Sequence, residues 1–283
     1  MSTRTTTFGI ELNRSRLYDV GFVLGKYLLL AFFLLIIIPP FVYVFSVSLR
    51  TPAEIFVITL IPDVITFQNY VTVFDEFSGP LVDSLLIATG TSLISMLITI
   101  PSAYAIGRKQ FPGRMAVFYV IILALLFPHI LLIIPISDIW NGIGLYNTIP
   151  GLWFAYQPFV TPFSLWILRD FFENLPTNLE EAAQVYGCTE FSAFVRVILP
   201  ISAPAVVAVG FLAFLAGWND FLFANFLTTG TGPEPATVVL FKNVGGELQF
   251  WETLMAQALV VGIPPAILYM VGRKYLAKAF AVS

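Results

Sequence analysis

The sequence is poor in charge and carries only one cysteine and one histidine. Charged residues make up 11% of its 283 positions and hydrophobic residues 58%, and the mean hydropathy is +0.88. This composition lies outside the range of soluble domains and indicates an integral membrane protein. Because Cys188 is alone, an internal disulfide is excluded, and the sequence holds no Cys/His cluster with metal-ligand spacing.

Motifs for catalysis are missing as well. The chain has no glycine-rich phosphate loop of the Walker type, so we expect it to hydrolyse no ATP and to bind no cofactor. Its single histidine has no nearby serine or cysteine partner for a nucleophilic triad, which argues against an enzyme. It shows no internal repeat, which argues mildly against secondary transporters built from inverted repeats.

Six apolar stretches are long enough to cross a hydrocarbon core, which takes about 20 residues as a helix. These stretches are residues 27–49, 84–107, 115–137, part of 139–168, 201–219 and 253–272. They predict an all-α fold, a polytopic membrane bundle of six transmembrane helices. The first stretch is too long for the core of a signal peptide, so we expect no cleavage.

The basic residues are distributed unevenly about these stretches. If the chain crosses the membrane six times, twelve of its 14 Lys and Arg residues fall on one face. Only Arg50 and Lys242 fall on the other. The positive-inside rule then places both termini, and the polar segment 176–200, in the cytoplasm.

Segment 176–200 reads PTNLEEAAQVYGCTEFSAFVRVILP and predicts two short helices with a turn at Gly187. We expect Thr177 and Glu180 to form a capping box at the first helix, and Thr189 to cap the second. Each helix has an apolar face. The faces are Leu179, Ala182, Ala183 and Tyr186 in the first helix, and Phe191, Phe194, Val195 and Ile198 in the second. Such a hairpin could simply rest on its own bundle.

The spacing within this segment is more specific. Glu181, Ala182 and Ala183 precede Gly187, and Val197-Ile198-Leu199-Pro200 follows after nine further residues. This pattern resembles the EAA loop of ABC importer permeases, the binding-protein-dependent transport system inner membrane components; Val197 replaces their usual isoleucine. In that family the loop is a coupling helix that docks on a cytoplasmic ATPase. The resemblance implies ATPase coupling for Glu180, Glu181, Ala182, Ala183, Gly187, Leu199 and Pro200.

Two further passages resemble the carbohydrate-importing branch of this family. Leu168-Arg169-Asp170-Phe171-Phe172 precedes the loop, and Trp218-Asn219-Asp220-Phe221 looks like an element of its MalG-like subunit. The resemblance implies a permease that forms half of the pathway for a mono-, di- or oligosaccharide. It also implies a prokaryotic inner or plasma membrane location.

Partners follow from the same resemblance. We expect a second, MalF-like permease, two ATP-binding subunits that carry ATP-Mg, an extracytoplasmic solute-binding protein and a sugar. The chain would divide into a cytoplasmic segment 1–26, a transmembrane domain 27–276 and a cytoplasmic tail 277–283.

Candidate residues of the translocation path are His129, Trp218 and Asn219. An ionisable residue within a membrane span is a functional candidate, although His129 has no visible acidic partner in the sequence. Asp220 is not selected, because counting along a straight helix from Ile201 places it roughly 28 Å up, near the outer interface.

Two other functions are compatible with the sequence. One is an ABC permease for a non-sugar solute such as a polyamine or peptide. The other is an ion-gradient carrier or channel that exposes an amphipathic hairpin.

Overall fold

The computed structural model describes residues 14–55, 59–244 and 250–280, and their side chains from residue 22 to residue 275. Every regular element in these ranges is helical. The α-helices are α1 Arg14–Ser48, α2 Gln68–Arg108, α3 Arg114–Leu123, α4 Ile133–Ile143, α5 Ile149–Ala155, α6 Gln157–Glu173, α7 Asn178–Val185, α8 Glu190–Ala193, α9 Leu199–Ile201, α10 Ala203–Asn219, α11 Leu222–Leu227, α12 Ala236–Val244 and α13 Trp251–Phe280. Short 3-10 turns cover Pro52–Glu54, Ala124–Leu126 and His129–Leu132, and a π-helical turn covers Phe194–Ile198.

Three of the described helices, α1, α2 and α13, are long and apolar enough to cross a membrane. Two bent pairs raise the number to five: Arg114–Leu126 with His129–Ile143, and Glu190–Ile201 with Ala203–Asn219. The predicted fourth span corresponds to α5 and α6, which are interrupted at Tyr156. The prediction of an all-α membrane bundle is confirmed, and the number six stays a prediction.

Helix α2 is much longer than predicted. It contains 41 residues and is therefore about 60 Å long, roughly twice a hydrocarbon core. Residues 68–83, which precede the second predicted stretch, belong to the same helix. Its start is fastened to the end of α1: the Asn69 amide donates to the carbonyls of Ser48 and Arg50, each at 2.9 Å.

Small residues bring other helices close to α2, which packs against α5, α6, α10 and α13. A Cβ at Gly90 would collide with the ring of Trp153 on α5. A Cβ at Gly217 on α10 would lie 3.2 Å from the Ala88 Cα. The Ser92 hydroxyl donates to the Gly210 carbonyl at 2.7 Å. These small residues allow the neighbouring helices to approach α2 closely.

Different basic residues lie at the two ends of the bundle. Arg108 and Lys109, at the end of α2, lie against the 176–200 segment. Arg50 lies beside the start of α2, and Glu234, the ion-pair partner of Lys242, bonds through its backbone N–H to Asp83. Arg108 and Lys109 thus lie at one end of α2, and Arg50 and Lys242 lie toward the other. Which end faces the cytoplasm stays a prediction.

Helix α1 stands apart from the bundle. Every residue from Phe22 to Tyr43 is exposed, whereas the last turn, from Ser46 to Ser48, is buried. Helix α1 contacts α13. Its apolar surface is of the kind that lipid or a second membrane chain covers.

Candidate functional site

Segment 176–200 forms the predicted helical hairpin. Gly187, with φ of +86°, adopts the left-handed conformation that ends α7. The Thr189 hydroxyl accepts from the Ser192 N–H at 3.2 Å and caps α8, as predicted. From α8 the chain continues through the π-helical turn into α9, which holds Leu199 and Pro200. These two residues precede the 75° bend that leads into α10.

The capping box predicted for α7 is wrong. The Thr177 side chain caps nothing, and Glu180 is drawn away by stronger donors on α2. Its carboxylate accepts from the Arg108 guanidinium at 2.7 Å and from the Tyr104 hydroxyl at 2.8 Å. A charged partner stabilises a carboxylate more than a backbone N–H does. Glu180 therefore binds Arg108 instead of a backbone N–H at the start of α7.

Arg108 holds more than one group of the hairpin. It also donates to the carbonyls of Leu175 at 2.6 Å and Pro176 at 3.0 Å. The Arg108 side chain is 4% exposed and that of Glu180 is 16% exposed. Burial raises the pKa of the Glu180 carboxyl, but the hydrogen bonds from Arg108 and Tyr104 outweigh it, so that the pKa is lowered. The start of α7 is therefore attached to the end of α2 by an ionised pair.

Several apolar side chains of the hairpin point outwards. Val185, Tyr186 and Phe191 are 84%, 89% and 75% exposed. Within the first predicted stripe, Ala183 is buried and Leu179 half-buried, whereas Ala182 and Tyr186 are exposed. On the second helix Ile198 is buried and Phe194 half-buried, whereas Phe191 and Val195 are exposed. About half of each predicted stripe therefore faces away from the bundle.

The remaining predicted loop residue, Glu181, is also exposed. It lies next to the exposed Ala182 and on the same outer surface as Val185 and Tyr186. Glu180 and Glu181 thus have different surroundings, one tied to α2 and the other open. The hairpin presents a carboxylate beside large apolar side chains, a surface of the type that binds another protein.

His129 lies at a break in the third predicted span. The chain bends by 93° between Leu126 and His129, and His129 is exposed. Its ring packs on Phe159 and Phe223, with ring centroids 5.4 and 6.3 Å apart. It also lines a pocket of about 630 Å³. The remaining lining residues are apolar: Leu123, Ala124, Leu125, Phe127, Leu132, Pro158, Phe159 and Phe163.

The other two path candidates lie at the end of α10. Trp218 is 2% exposed and stacks on Phe214, with 5.7 Å between ring centroids. Its side chain belongs to a buried cluster with Ala88 and lines none of the described cavities. Asn219 is exposed at the last position of the helix. A role of either residue in the path stays a prediction.

Asp220 is the residue that sequence reasoning missed. The expectation of an ordinary solvated carboxylate is wrong, because the chain continues as α11, which packs against α4 and α5 and partly encloses Asp220. The Asp220 carboxylate accepts from the Ala224 N–H at 3.2 Å and lies beside the buried Tyr156 hydroxyl. It also lies within electrostatic range of His129. The WND sequence was the available signal, and the return of the chain as α11 after it could not be read from the sequence.

The chain is similar to known transport proteins. A family described as "Binding-protein-dependent transport system inner membrane component" matches residues 99–282. The trehalose transport system permease protein SugB of Mycobacterium tuberculosis is 35% identical over 237 residues, covering 82% of this chain and 86% of that protein. The trehalose/maltose transport system permease protein MalG of Thermococcus litoralis is 32% identical over 243 residues, covering 84% and 87%.

Solved structures share the fold. A chain from the crystal structure of a bacterial ABC transporter involved in the import of the acidic polysaccharide alginate superposes with a TM-score of 0.78. It is 22% identical, and the match covers 96% of this chain and 100% of that one. At this identity the likeness establishes the fold alone.

Proposed function

The chain belongs to the family of binding-protein-dependent transport system inner membrane components, and from that premise we propose that it is a permease subunit of an ATP-driven sugar importer. The names of its relatives support the substrate class. Beside the two trehalose permeases, they include the diacetylchitobiose uptake system permease NgcG of Streptomyces coelicolor, which is 30% identical over 264 residues. The substrate is a mono-, di- or oligosaccharide.

The exposed hairpin is the observation that carries the coupling part of this proposal. Val185, Tyr186 and Phe191 lie outside the long apolar helices and no described part of the chain covers them. Large apolar side chains exposed together mark a protein-binding surface. Glu181 beside them offers an ion pair. The partner is the ATP-binding subunit, which supplies the hydrolysis that this chain does not perform.

Other partners complete the importer. A second, related permease provides the other half of the pathway, two ATP-binding subunits sit beneath the pair, and a solute-binding protein delivers the sugar from outside. The family description itself names dependence on a binding protein.

Movement passes from the hairpin to the spans through Arg108. Because Arg108 binds Glu180 and two hairpin carbonyls, a displacement of α7 pulls directly on the end of α2. Helix α2 packs along α6, α10 and α13, so it shifts with them as a unit. Closure of the ATP-binding subunits would in this way turn the pathway outwards, and hydrolysis would return it.

The test is reconstitution of the four-part complex in proteoliposomes with Glu181→Ala or Tyr186→Ser. We expect either change to lower sugar uptake about tenfold or more, because a hot-spot residue of an interface contributes about 2 kcal/mol or more and about 1.4 kcal/mol is a factor of ten. Sugar-dependent ATP hydrolysis should fall in parallel, with insertion of the permease unchanged.

Asp75→Ala is the matched control, since Asp75 is an exposed acid at the opposite end of the bundle. The coupling role would be contradicted if Glu181→Ala and Tyr186→Ser took up sugar at the same rate as Asp75→Ala. Absence of uptake of every sugar by the wild-type complex would contradict the substrate class.

A further inference from the structure

The third predicted span is discontinuous well inside the stretch that is predicted to cross the bilayer. Counted from Arg114 at about 1.5 Å per residue, the break lies about 20 Å along a hydrocarbon core of about 30 Å. Pro128 has no N–H, and the end of α3 leaves carbonyls without helical partners. Such backbone is tolerated at membrane depth only where protein buries it or water reaches it. Phe127, Pro128 and His129 are exposed, so the described part of this chain does not bury the break.

A second discontinuity meets the first. Helix α10 ends at Asn219 and α11 begins at Leu222, and α11 packs against α4 and α5. Phe223 of α11 stacks on the His129 ring. Substrate sites of membrane transporters are typically formed where broken helices come together, because unwound backbone and helix ends offer polar groups there.

The pocket at this junction has the composition of a small-molecule site. Its volume of about 630 Å³ lies within the range usual for ligand pockets. Rings of Phe127, Phe159 and Phe163 line it, and His129 is the only polar side chain among its lining residues. An apolar, aromatic wall with one placed hydrogen-bonding group is what holds and orients a ligand that has both C–H faces and hydroxyls.

Charge around the pocket indicates which ligands it accepts. No lysine or arginine is among its lining residues. Asp220 lies within electrostatic range of His129 and close to the Tyr156 hydroxyl. Without a cationic lining residue the pocket offers no ion-pair partner to an acidic ligand, and it therefore favours an uncharged one. An ionisable residue at membrane depth also marks a substrate path more often than a packing position.

We propose that this pocket is a subsite for an uncharged sugar ring on this subunit, with aromatic contact to Phe159 and Phe163 and a hydrogen bond to His129. The proposal rests on the proposed function, since it names the sugar contact made by this half of the permease. The subunit then binds sugar directly during transfer.

Two residues of α6 form a matched pair for the test. Phe163 lines the pocket and is 43% exposed, whereas Trp166 lies outside it and is 52% exposed. In proteoliposomes containing the whole complex, Phe163→Ala and His129→Leu should each lower the sugar moved per ATP hydrolysed about fivefold to tenfold, the effect of losing one ring contact or hydrogen bond. Trp166→Ala should leave this ratio at the wild-type value.

Cysteine protection gives a measurement that does not depend on transport. In a Cys188→Ser background, Phe163→Cys and Trp166→Cys are labelled with a maleimide in the complex, with and without a binding protein loaded with trehalose, maltose or diacetylchitobiose. The sugar should slow labelling at position 163 and leave position 166 unchanged.

The outcomes separate the two proposals. If the wild-type complex imports sugar but Phe163→Ala equals Trp166→Ala in the sugar moved per ATP, the subsite is overturned and the proposed function stands. Equal slowing of labelling at positions 163 and 166, or no slowing at 163, also overturns the subsite. If the wild-type complex imports none of these sugars, the proposed function fails first.

Discussion

Glu180 and Glu181 are neighbours in the chain with different surroundings. Successive residues of a helix point about 100° apart, so Glu180 faces Arg108 on α2 while Glu181 faces away from the bundle. One carboxylate holds the hairpin in place and the other is available to a partner. The same division explains why a substitution of either residue should impair transport through a different step.

The ion pair of Glu180 predicts a pH-dependent hairpin. Because the folded pKa of Glu180 is lowered below 4.5, its contribution to stability is complete above that value and is lost as the pH falls through the folded pKa. Hydrogen exchange of the α7 amides should therefore accelerate relative to the rest of the chain as the pH is lowered below about 4.5.

Glu180→Gln tests this directly. The variant should lose about 2 kcal/mol of local stability at pH 7, since it removes a charged hydrogen bond from the buried Arg108. In this variant the exchange of the α7 amides should no longer accelerate relative to the rest of the chain below pH 4.5. Glu190→Gln is the control, because its ion pair with Lys109 is exposed and should contribute less than about 1 kcal/mol. Identical exchange in the two variants at pH 7 would refute the role of Glu180.

At the scale of elements, the hairpin depends on a single turn. Gly187 has φ of +86°, and a Cβ there would meet no neighbouring atom, so the constraint on this position is conformational. The polar segment can double back only because this residue adopts the left-handed region without strain. The exposure of Tyr186 and Phe191 follows from that reversal.

Gly187→Ala should destabilise the hairpin by about 1 kcal/mol, the cost of left-handed backbone for a residue with a Cβ. The detergent-solubilised variant should therefore retain less of the ATP-binding subunit in a pull-down than the wild-type permease does. Gly142→Ala in α4 is the matched control, because a Cβ there also meets nothing and the residue has no positive φ. Equal retention of the ATP-binding subunit by both variants would argue against a role of the turn in docking.

On the scale of the whole molecule, the two ends of α2 organise the chain. One end holds Arg108 and the hairpin, and the other holds Asn69, the end of α1 and the segment of Glu234. The excess of lysine and arginine on the first end predicts that it lies in the cytoplasm.

The single native cysteine makes this orientation measurable. A membrane-impermeant maleimide should label Cys188 in inside-out vesicles and fail to label it in right-side-out vesicles. Asp75→Cys in a Cys188→Ser background should show the opposite pattern, because Asp75 is exposed at the other end of the bundle. Labelling of both positions from the same side would overturn the predicted topology.

Composition and spacing alone determined much about this protein. Hydrophobic length predicts membrane helices because a bilayer imposes one length on all of them, and the interval from Glu181 through Gly187 to Pro200 identifies the hairpin because its turn needs glycine. Tertiary structure decided the partners of individual side chains. Glu180 binds Arg108 instead of forming the predicted cap, and Asp220 lies beside Tyr156. Both positions depend on contacts between residues far apart in the chain and on helix breaks, which local patterns do not specify.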